Sequence, residues 1–442
     1  MSGLARVLRE RGFVVHGCDT NASPGQETLR QRGIDVTIGH HPAHLTHEVG
    51  LLVYTSAVSS QEPELLAAAA QGIPTMSRGA LLAELAAENR LVAVAGAHGK
   101  TTTSGMATQL LLHAGWDPTF LIGGVVRSLG CNAKAGRGRF LVAETDESDG
   151  SFLMLHPDVA IITNIDREHL NHYQNFETLI AAFHQFVGQI RPGGLLIRCE
   201  DDPILRETVT SARQISYGLH PQADVQAREI TPCGWGSQFI VVYQGQRLGV
   251  FRLQVPGRHN VINALAVISL GIGLELPLAS ISDALLKFRG ASRQFELLEL
   301  PNDVWFIEDY AHHPSEIRAT LTADPFHDRH RLVVFQPHRF SRTKLLEREF
   351  SSCFDRADGI IVTDIYSAFE PPIPGVSGER MAMLIKEHGH PCVRYVPRVE
   401  LRSYLSHVVQ PKDTVFFLGA GDIGEFCHGL ASDLRAHQPI VE

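Results

Sequence analysis

The alternation of short apolar runs with helix-like segments constrains the fold of this chain more than any other feature. Runs such as Phe140–Ala143, Arg331–Phe335 and Thr414–Leu418 have the length and composition of buried strands. Helix-like segments lie between such runs, for example Ser104–His113 and Phe176–Ile190. Strands that alternate with helices form βα units, and their sheets are mainly parallel. The sequence therefore predicts an α/β fold.

The length of the chain predicts two or three domains. It has 442 residues, and domains usually contain about 100–200 residues each. One boundary is expected near residues 88–90, just before an apolar run, and another near residues 288–292, before a strand-like run. We therefore expect three domains, which comprise residues 1–89, 90–292 and 293–442.

Charge and cysteine content narrow the functional class. A net charge of −9 argues against a nucleic-acid-binding surface as the main purpose of the protein. The seven cysteines form no C-x-x-C pair, which is typical of reduced thiols in the cytoplasm. No run of 18 apolar residues is present, so no membrane span is expected.

A glycine-rich stretch, residues 95–103, follows an apolar run and precedes a helix-like segment. A strand, a glycine turn, Lys-Thr and a helix form a phosphate-binding arrangement, because backbone N–H groups and the positive helix end converge on the anion. Lys100 would supply a charge, and the hydroxyl of Thr101 can bind Mg²⁺. The spacing is the shorter G-x-x-G-K-T-T, since Val94 stands where the usual motif has glycine. The alternative is an ordinary helix start with a chance Lys-Thr pair.

Two further strand ends carry polar side chains. The run Phe140–Ala143 leads into four acids that begin with Glu144, and the run Val159–Thr163 is soon followed by His169. Ligands of open α/β sheets bind at the carboxyl ends of strands, and carboxylates there suit Mg²⁺. The alternative for the acids is a solvated turn, and a lone histidine would be structural.

Asn260 and Asn263 stand three residues apart at a predicted helix start. Residues at this spacing lie on one face of a helix. Their amides could hydrogen-bond the edge of a nucleotide base. The alternative is that Asn260 only caps the helix.

The last third of the chain has two polar segments after predicted strands. One contains Asp309, Tyr310 and His312, and the other contains Arg339 and Arg342. Two arginines on one helical face can bind a carboxylate. The alternative is a solvated basic turn.

The segment Gly419–Gly424 matches the dinucleotide pattern G-x-G-x-x-G. Only eighteen residues follow it, which is too few for the next strand with its ribose-binding acid. We therefore interpret it as a tight strand–helix turn near the substrate.

Taken together, these motifs resemble the Mur ligase family over essentially the whole chain. The resemblance rests on the segments Gly96–Thr103, Glu144–Leu153, Asp309–Glu316 and Phe335–Thr343, and the last three are similar to the alanine-adding branch. It implies an incomplete Rossmann-like UDP-binding domain, a central parallel-sheet P-loop-type ATPase domain and a C-terminal Rossmann-like domain. It also implies ATP-dependent ligation of L-alanine to UDP-N-acetylmuramate through an acyl phosphate, in the cytoplasm, by a monomer or weak homodimer.

The resemblance also assigns roles to residues of this chain. Two Mg²⁺ sites are implied, with Thr101, Glu144 and His169 as ligands. Catalytic roles fall to Lys100, Glu144, His169, His312, Arg339 and Arg342, and His312 is a candidate to accept the proton of alanine. The alanine and muramoyl pocket would contain Tyr310, His312, Arg339 and Arg342. ATP would contact Ala95, Gly96, Ala97, His98, Gly99, Lys100, Thr101, Thr102, Asn260, Asn263, Arg293 and Asp309.

The chain departs from the family pattern at several positions. Ala97 stands where threonine is usual, Asn171 where aspartate is usual, and Gln294 where an arginine that contacts the γ-phosphate is usual; the neighbouring Arg293 is a possible substitute. The sequence begins with a helix-like stretch followed by the strand-like run Phe13–Gly17, without the first strand and glycine-rich turn that hold UDP in the family. Two alternatives therefore stay open: a ligase that recycles murein tripeptide, and a nucleotide-binding homologue with impaired ligation.

Overall fold

The computed structural model of the protein describes residues 1–22, 24–168, 170–208, 210–323 and 328–436. Strands and helices alternate along the chain, which confirms the predicted α/β class. No helix within these ranges combines the length and apolar character needed to span a membrane. The chain divides into two compact units. The first unit comprises residues 1–229, 239–252 and 262–288, and the second comprises residues 230–238, 253–261 and 289–442.

The N-terminal region of the first unit contains two small parallel sheets. One pairs β1 with β2, and the other pairs β3 with β4. Helices connect the strands, as expected for βα units. The elements are α1 (Ser2–Glu10), β1 (His16–Asp19), α2 (Pro24–Arg30), β2 (Asp35–Ile38), β3 (Leu52–Tyr54), α3 (Pro63–Gln71), β4 (Thr75–Ser77) and α4 (Arg78–Ala87), with a 3₁₀ turn at Pro42–His44.

The first strand begins later than the sequence predicts. The strand-like run Phe13–Gly17 was expected to form it, whereas β1 starts at His16. Gly12 adopts a left-handed φ of +96°, and the N–H of Phe13 donates to the carbonyl of Leu8 in helix α1. This arrangement is a helix C-cap, so the backbone of Phe13 ends α1 instead of starting a strand.

A ten-stranded sheet forms the centre of the chain, in the order β14-β13-β12-β11-β10-β9-β5-β8-β6-β7. The strands around β5 are parallel to it and buried. Its elements are β5 (Arg90–Ala95), α5 (Lys100–His113), β6 (Thr119–Val126), β7 (Cys131–Lys134), β8 (Phe140–Glu144), β9 (Val159–Ile162), α6 (Leu170–Tyr173), α7 (Phe176–Gly188), β10 (Leu195–Cys199), α8 (Pro203–Arg206), β11 (Arg213–Gly218), β12 (Val225–Cys233), β13 (Gly236–Tyr243), β14 (Gln246–Leu253), α9 (Arg258–Gly273) and α10 (Leu278–Leu286).

The second unit contains a six-stranded sheet in the order β15-β16-β20-β17-β18-β19. Only its edge strand β15 runs antiparallel to its neighbour; the other pairs are parallel. Its elements are β15 (Glu296–Leu300), β16 (Val304–Asp309), α11 (Pro314–Ala323), β17 (Arg331–Phe335), α12 (Phe340–Leu345), α13 (Glu347–Ser351), β18 (Gly359–Val362), α14 (Gly378–Glu387), β19 (Val393–Tyr395), α15 (Leu401–Val408), β20 (Thr414–Leu418) and α16 (Ile423–Ala436).

Both faces of this six-stranded sheet are covered by apolar side chains. In β20, Phe416 and Leu418 belong to one core, which includes Ile317 of α11. Phe417 points to the opposite core, which includes Leu430 of α16. Alternate side chains of a strand face opposite sides of its sheet, so this continuously apolar strand is buried on both sides, as is usual for parallel sheets.

Candidate active site

The glycine loop at residues 96–99 connects β5 to the start of α5, as the sequence predicts. Gly96 and Gly99 have φ values of +125° and +81°, which L side chains rarely adopt. A Cβ atom on Gly99 would lie 2.6 Å from Oδ1 of Asn263, and one on Gly96 would meet the hydroxyl of Thr163. Both positions therefore require glycine, for conformation and for space.

The end of β9 holds the loop in place. The carbonyl of His98 accepts hydrogen bonds from the hydroxyl of Thr163 (2.7 Å) and the amide of Asn164 (3.0 Å). The backbone N–H of His98 donates to Oδ1 of Asn164 at 2.9 Å, and its Nε2 lies 3.0 Å from Oδ2 of Asp166. These contacts fix the loop by bonds within the protein, which lowers the ordering cost of binding a ligand.

Lys100, the first residue of α5, is paired with an acid. Its Nζ lies 2.6 Å from Oε1 of Glu147 and also donates to the carbonyls of Gly96 and Ala97. Burial acts to lower the pKa of Lys100, but the nearby acids, Glu147 foremost with Glu144 and Glu168, together outweigh it, so the pKa is raised above its usual value. The lysine is therefore charged and held beside the loop at neutral pH.

Thr101 and Glu144, two of the predicted metal ligands, lie side by side. The hydroxyl of Thr101 donates to Oε1 of Glu144 at 3.0 Å, and the N–H of Gly123 donates to Oε2 at 2.6 Å. Burial raises the pKa of Glu144, and these hydrogen bonds and the charge of Lys100 oppose that shift. A hydroxyl and a carboxylate side by side fit Mg²⁺, which prefers oxygen ligands.

The sequence reasoning did not single out Glu147. It belongs to the same acidic run as Glu144, but its side chain is almost fully buried, and burial raises its pKa to about 7 against the opposing effect of Lys100. No spacing rule separates it from its acidic neighbours. The predicted metal ligand His169 lies outside the described residues.

The remaining predicted nucleotide-binding residues lie at several places. Ala95 ends β5, and Thr102 is buried in the first turn of α5. Asn263 packs against Gly99 in the first unit. In the second unit, the amide nitrogen of Asn260 donates to the carbonyl of Pro256 at 2.6 Å. Asn260 is the third residue of α9 and donates in this bond, whereas an N-cap side chain accepts from a backbone N–H, so the bond is not the capping contact considered from the sequence. The adenine contact stays a prediction.

Asp309 ends β16 in the second unit and is buried. Its two carboxylate oxygens accept hydrogen bonds from the N–H groups of Phe295 and Ala311, both at 2.8 Å. Burial raises the pKa of Asp309 to about 7, although these bonds oppose the shift. The side chain thus orders the backbone around the next two residues of the predicted pocket, Tyr310 and His312.

Aromatic and basic side chains meet beyond the ends of β16 and β17. The rings of His312 and His338 are 5.7 Å apart, and His338 stacks on Tyr366. Burial lowers the pKa of His338 to about 3, helped by the charges of His312 and Arg342, so His338 is neutral at physiological pH. The structure thus brings together His312 and Arg342, both predicted pocket residues. It adds His338 and Tyr366, which were not among the residues predicted from the sequence.

Arg339 has a strained backbone. Its φ of +70° is uncommon for a residue other than glycine and costs of order 1–3 kcal/mol. Its N–H donates to the carbonyl of Tyr366 at 2.8 Å, which helps to hold this conformation. Within the described part of the chain, the buried Nε of Arg339 has no hydrogen-bond partner. An anionic group would satisfy it.

Side chains of the second unit fill the turn at residues 419–424, between β20 and α16. A Cβ atom on Gly424 would meet the carboxylate of Glu308, and one on Gly421 would meet Gln336. Arg293 donates to Glu308 at 2.9 Å and to the carbonyl of Gly421 at 2.9 Å. The segment is therefore a tight strand–helix turn, as interpreted from the sequence, and Arg293 holds it.

Family comparisons cover nearly the whole chain. Three family models match in succession: "Mur ligase family, catalytic domain" at residues 1–90, "Mur ligase middle domain" at 94–271, and "Mur ligase, glutamate ligase domain" at 293–421. These segments correspond in order to the three domains expected from the sequence. The predicted boundary positions themselves stay predictions.

Individual proteins match over the same length. A protein of Sorangium cellulosum named UDP-N-acetylmuramate–L-alanine ligase is 43% identical, covering all of this chain and 96% of the relative. A protein of the same name from Carboxydothermus hydrogenoformans is 44% identical over 97% of this chain and 93% of the relative. The crystal structure of UDP-N-acetylmuramate–alanine ligase from Thermotoga maritima matches with a TM-score of 0.84 and 29% identity, covering 99% of this chain and 97% of that one.

A murein peptide ligase of Psychrobacter arcticus shares the fold, with a TM-score of 0.72 at 23% identity over all of this chain and 97% of that one. Together with the full-length relatives and the three successive family models, this establishes the three-domain architecture implied by the sequence motifs. The chain belongs to the Mur ligase family.

Proposed function

We propose that this protein joins L-alanine to UDP-N-acetylmuramate, with ATP converted to ADP and phosphate, in cytoplasmic peptidoglycan synthesis. The observation that carries the proposal is the phosphate loop with Lys100, Thr101 and Glu144 at its helix end. It occurs in a chain that is 43% identical over its full length to a ligase of that name. In this reaction the muramoyl carboxylate attacks the γ-phosphate of ATP, and the amine of alanine then attacks the acyl phosphate.

The charged groups of the loop suit the first step. Phosphoryl transfer depends on positioning and on neutralising charge more than on a protein nucleophile. Lys100 would bind the β- and γ-phosphates, while the N–H groups at the start of α5 face the same anion. Thr101 and Glu144 would hold Mg²⁺, which supplies charge neutralisation at the phosphates. A second Mg²⁺ at His169 is part of the proposal and rests on the family resemblance alone.

Glu147 would act as the resting partner of Lys100. The pair keeps the lysine charged and aimed at the loop when no nucleotide is present. An arriving polyphosphate carries more negative charge than one carboxylate, so the lysine can exchange Glu147 for phosphate oxygens. Glu147 stays buried when Lys100 binds the phosphates. Because its pKa is raised, Glu147 can then take up a proton, which reduces the free-energy cost of burying this carboxyl group.

The second unit would supply the amino-acid and muramoyl pocket. Arg339 and Arg342 are suited to bind carboxylates, because a guanidinium matches the two oxygens of such a group. Nδ1 of His312 lies 2.8 Å from the carbonyl oxygen of Tyr310, which can only accept a hydrogen bond. Nδ1 therefore donates to that carbonyl, which fixes the orientation of the ring beside Tyr310. His312 stays the candidate acceptor of the alanine proton that the family resemblance implies.

The departures from the family pattern bear on the rate. Gln294 replaces a positive charge, and loss of one such donor costs about 2–4 kcal/mol of transition-state stabilisation in comparable sites. Arg293 was a possible substitute, but its guanidinium binds Glu308 and the turn at Gly421. We therefore infer slower phosphoryl transfer than in a relative that keeps the arginine.

The test is release of phosphate by the purified full chain, with ATP, Mg²⁺ and each substrate omitted in turn. We expect release only when UDP-N-acetylmuramate and L-alanine are both present. Use of murein tripeptide in place of alanine would assign the chain to the recycling ligases instead. Binding of ATP with no turnover under any combination would favour a nucleotide-binding homologue without ligase activity.

The oligomeric state is a separate part of the proposal. We infer a monomer or weak homodimer, because the family resemblance implies no larger assembly. Sedimentation velocity at two protein concentrations checks it. A stable tetramer would contradict it.

A further inference from the structure

A second cluster of ligand-type side chains lies in the N-terminal region of the first unit. It contains one thiol, two imidazoles and one carboxylate, from Cys18, His40, His44 and Glu64. Three separate segments contribute: β1, the loop after β2, and the first turn of α3. The strands β1 and β2 are parallel, and Cys18 is the last residue but one of β1, so the cluster sits at the carboxyl ends of these strands, where open α/β sheets bind ligands.

Glu64 is the centre of the cluster. Its side chain is only 7% exposed, and its Oε1 lies 2.7 Å from Nδ1 of His44. Sγ of Cys18 lies 3.1 Å from Oε2 of Glu64 and 3.1 Å from Nδ1 of His40. Sγ of Cys18, a ring nitrogen of His44 and a carboxylate oxygen of Glu64 all lie within 4.8 Å of one another.

We propose that Cys18, His44 and Glu64 bind one Zn²⁺ ion, with His40, which lies next to the thiol of Cys18, as the fourth ligand. Zinc takes sulfur, nitrogen and carboxylate ligands in tetrahedral sites, with bonds of about 2.0–2.3 Å. Ligand atoms of such a tetrahedron are separated by roughly 3.3–3.7 Å. The contacts of 2.7 Å between His44 and Glu64 and of 3.1 Å between Cys18 and Glu64 lie just below that range, and the 3.9 Å between His40 and Glu64 lies just above it. Cys18, His44 and Glu64 thus form the compact part of the site, and His40 is the ligand that has to move most.

Charge and ligand type select the metal. A thiolate and a carboxylate carry two negative charges, which balance a divalent cation, while the two imidazoles remain neutral. Thiolate and imidazole ligands favour zinc over Mg²⁺ or Ca²⁺, which prefer oxygen. The site therefore differs in chemistry from the oxygen pair of Thr101 and Glu144, and the ligase metal would not compete for it.

The neighbouring histidine His41 has a different role. Its Nδ1 accepts a hydrogen bond from the backbone N–H of Ala43 at 3.1 Å, and its own N–H donates to Oε1 of Glu64 at 3.0 Å. The backbone of the loop is thus already tied to the carboxylate that would bind the ion. The segment Gly39–His44 contains three histidines in six residues. In the structure His40 and His44 are candidate ligands, whereas His41 caps the loop.

The competing explanation is that the four side chains form only a hydrogen-bonded network. Without metal, the thiol donates to Glu64, and burial together with that carboxylate raises the pKa of Cys18 to about 12. Zinc binding would displace the thiol proton and link β1, the loop and α3 through one ion. The two explanations differ in whether a thiolate–metal bond forms.

Cobalt substitution tests for that bond. The full chain is stripped of metal under reducing conditions and titrated with Co²⁺ in excess Mg²⁺. We expect a thiolate-to-cobalt charge-transfer band that saturates at one equivalent and disappears when Zn²⁺ is added. Cys18→Ser should abolish the band and weaken zinc binding at least tenfold, whereas Cys233→Ser, at an exposed cysteine, should change neither. A wild-type chain without the band, or a Cys18→Ser chain that keeps it, would overturn the proposal.

Thiol alkylation gives a second readout that needs no variant. Iodoacetamide labelling of the wild-type chain is followed by peptide mass spectrometry, with and without one equivalent of Zn²⁺. We expect zinc to slow labelling of Cys18 at least tenfold and to leave the exposed Cys233 and Cys392 unchanged. Equal Cys18 rates with and without zinc would contradict the site even if every substitution in the cluster impaired folding.

Discussion

Two strand–turn–helix connections of this chain carry glycine-rich motifs, and they differ in what occupies the turn. The loop at residues 96–99 departs from the usual phosphate-binding spacing, yet Lys100 stands at its helix end. The turn at residues 419–424 matches a dinucleotide motif in full. In that turn, however, the space beside the glycines is taken by Glu308 and Gln336, and Arg293 binds its carbonyls.

This difference shows why a glycine pattern alone does not identify a nucleotide site. Glycine allows the backbone to approach another group closely, but the group can be a phosphate or a side chain of the protein. A cation at the helix start indicates that the group is a phosphate. A buried acid such as Glu308 beside the glycines indicates that it is a side chain of the protein.

The largest effect is expected for Lys100→Ala. Removing the charge from the phosphate loop should lower kcat/KM for ATP by about 10²–10³-fold, as removal of one oriented donor does in other enzymes. The ion pair with Glu147 is lost as well, so folding is checked by circular dichroism. Lys386→Ala, at an exposed lysine, is the control and should retain activity. A fully active Lys100→Ala protein would remove the loop from the mechanism.

A pair of glycine substitutions compares the turns directly. Gly99→Ala forces a residue with a Cβ into a φ of +81° and against Asn263, so ATP binding measured by calorimetry should weaken at least tenfold. Gly424→Ala places a methyl group against Glu308 and should lower the free energy of unfolding by about 1–3 kcal/mol, a typical cost of overpacking, with ATP affinity unchanged. Weakened ATP binding in Gly424→Ala would mean that the second turn also serves the nucleotide.

Sequence reasoning succeeded where one local property decides the structure. Apolar runs such as Thr414–Leu418 became strands, and the predicted helix Ser104–His113 formed, although it begins earlier, at Lys100. It failed where a contact depends on residues that are distant in the sequence. Glu147 became the partner of Lys100 through the register of β5 and β8, which no local pattern records, and Tyr366 reached His338 from a loop far along the sequence.

The hairpin of β13 and β14 shows that the ends of strands are harder to predict from the sequence than the strands themselves. The sequence pattern of Phe239–Val255 predicts a hairpin with its turn at Gly245-Gln246, whereas in the structure Gln244 and Gly245 adopt positive φ values of +47° and +82° between the strands. A two-residue hairpin turn of type I′ has positive φ at both central residues, and glutamine rarely adopts that conformation. The existence of the hairpin was therefore predictable, and the position of its turn was not.

A pH-dependent effect is expected at Glu147. Its pKa rises on folding to about 7, so between about pH 4.5 and about pH 7 the native state holds a proton that the unfolded state has released. Stability from this group is therefore present below that window and is lost as the pH rises through it. Glu147→Gln should remove this part of the decline in urea unfolding measured at about pH 5 and about pH 8. The exposed Glu207→Gln serves as control, and identical pH profiles for the two variants would contradict the assignment.

The smallest effect is expected for Arg293→Lys. The guanidinium of Arg293 binds Glu308 at 2.9 Å and the carbonyl of Gly421 at 2.9 Å, and lysine cannot keep both contacts because its charge is a single point. We expect the free energy of unfolding to fall by about 1 kcal/mol, the usual value of a hydrogen bond, while KM for ATP stays within about twofold. The opposite result, unchanged stability with a raised KM, would return Arg293 to the nucleotide site and make it the replacement for the arginine missing at Gln294. Because stability and KM are measured on the same protein, this substitution decides which of the two turns Arg293 serves.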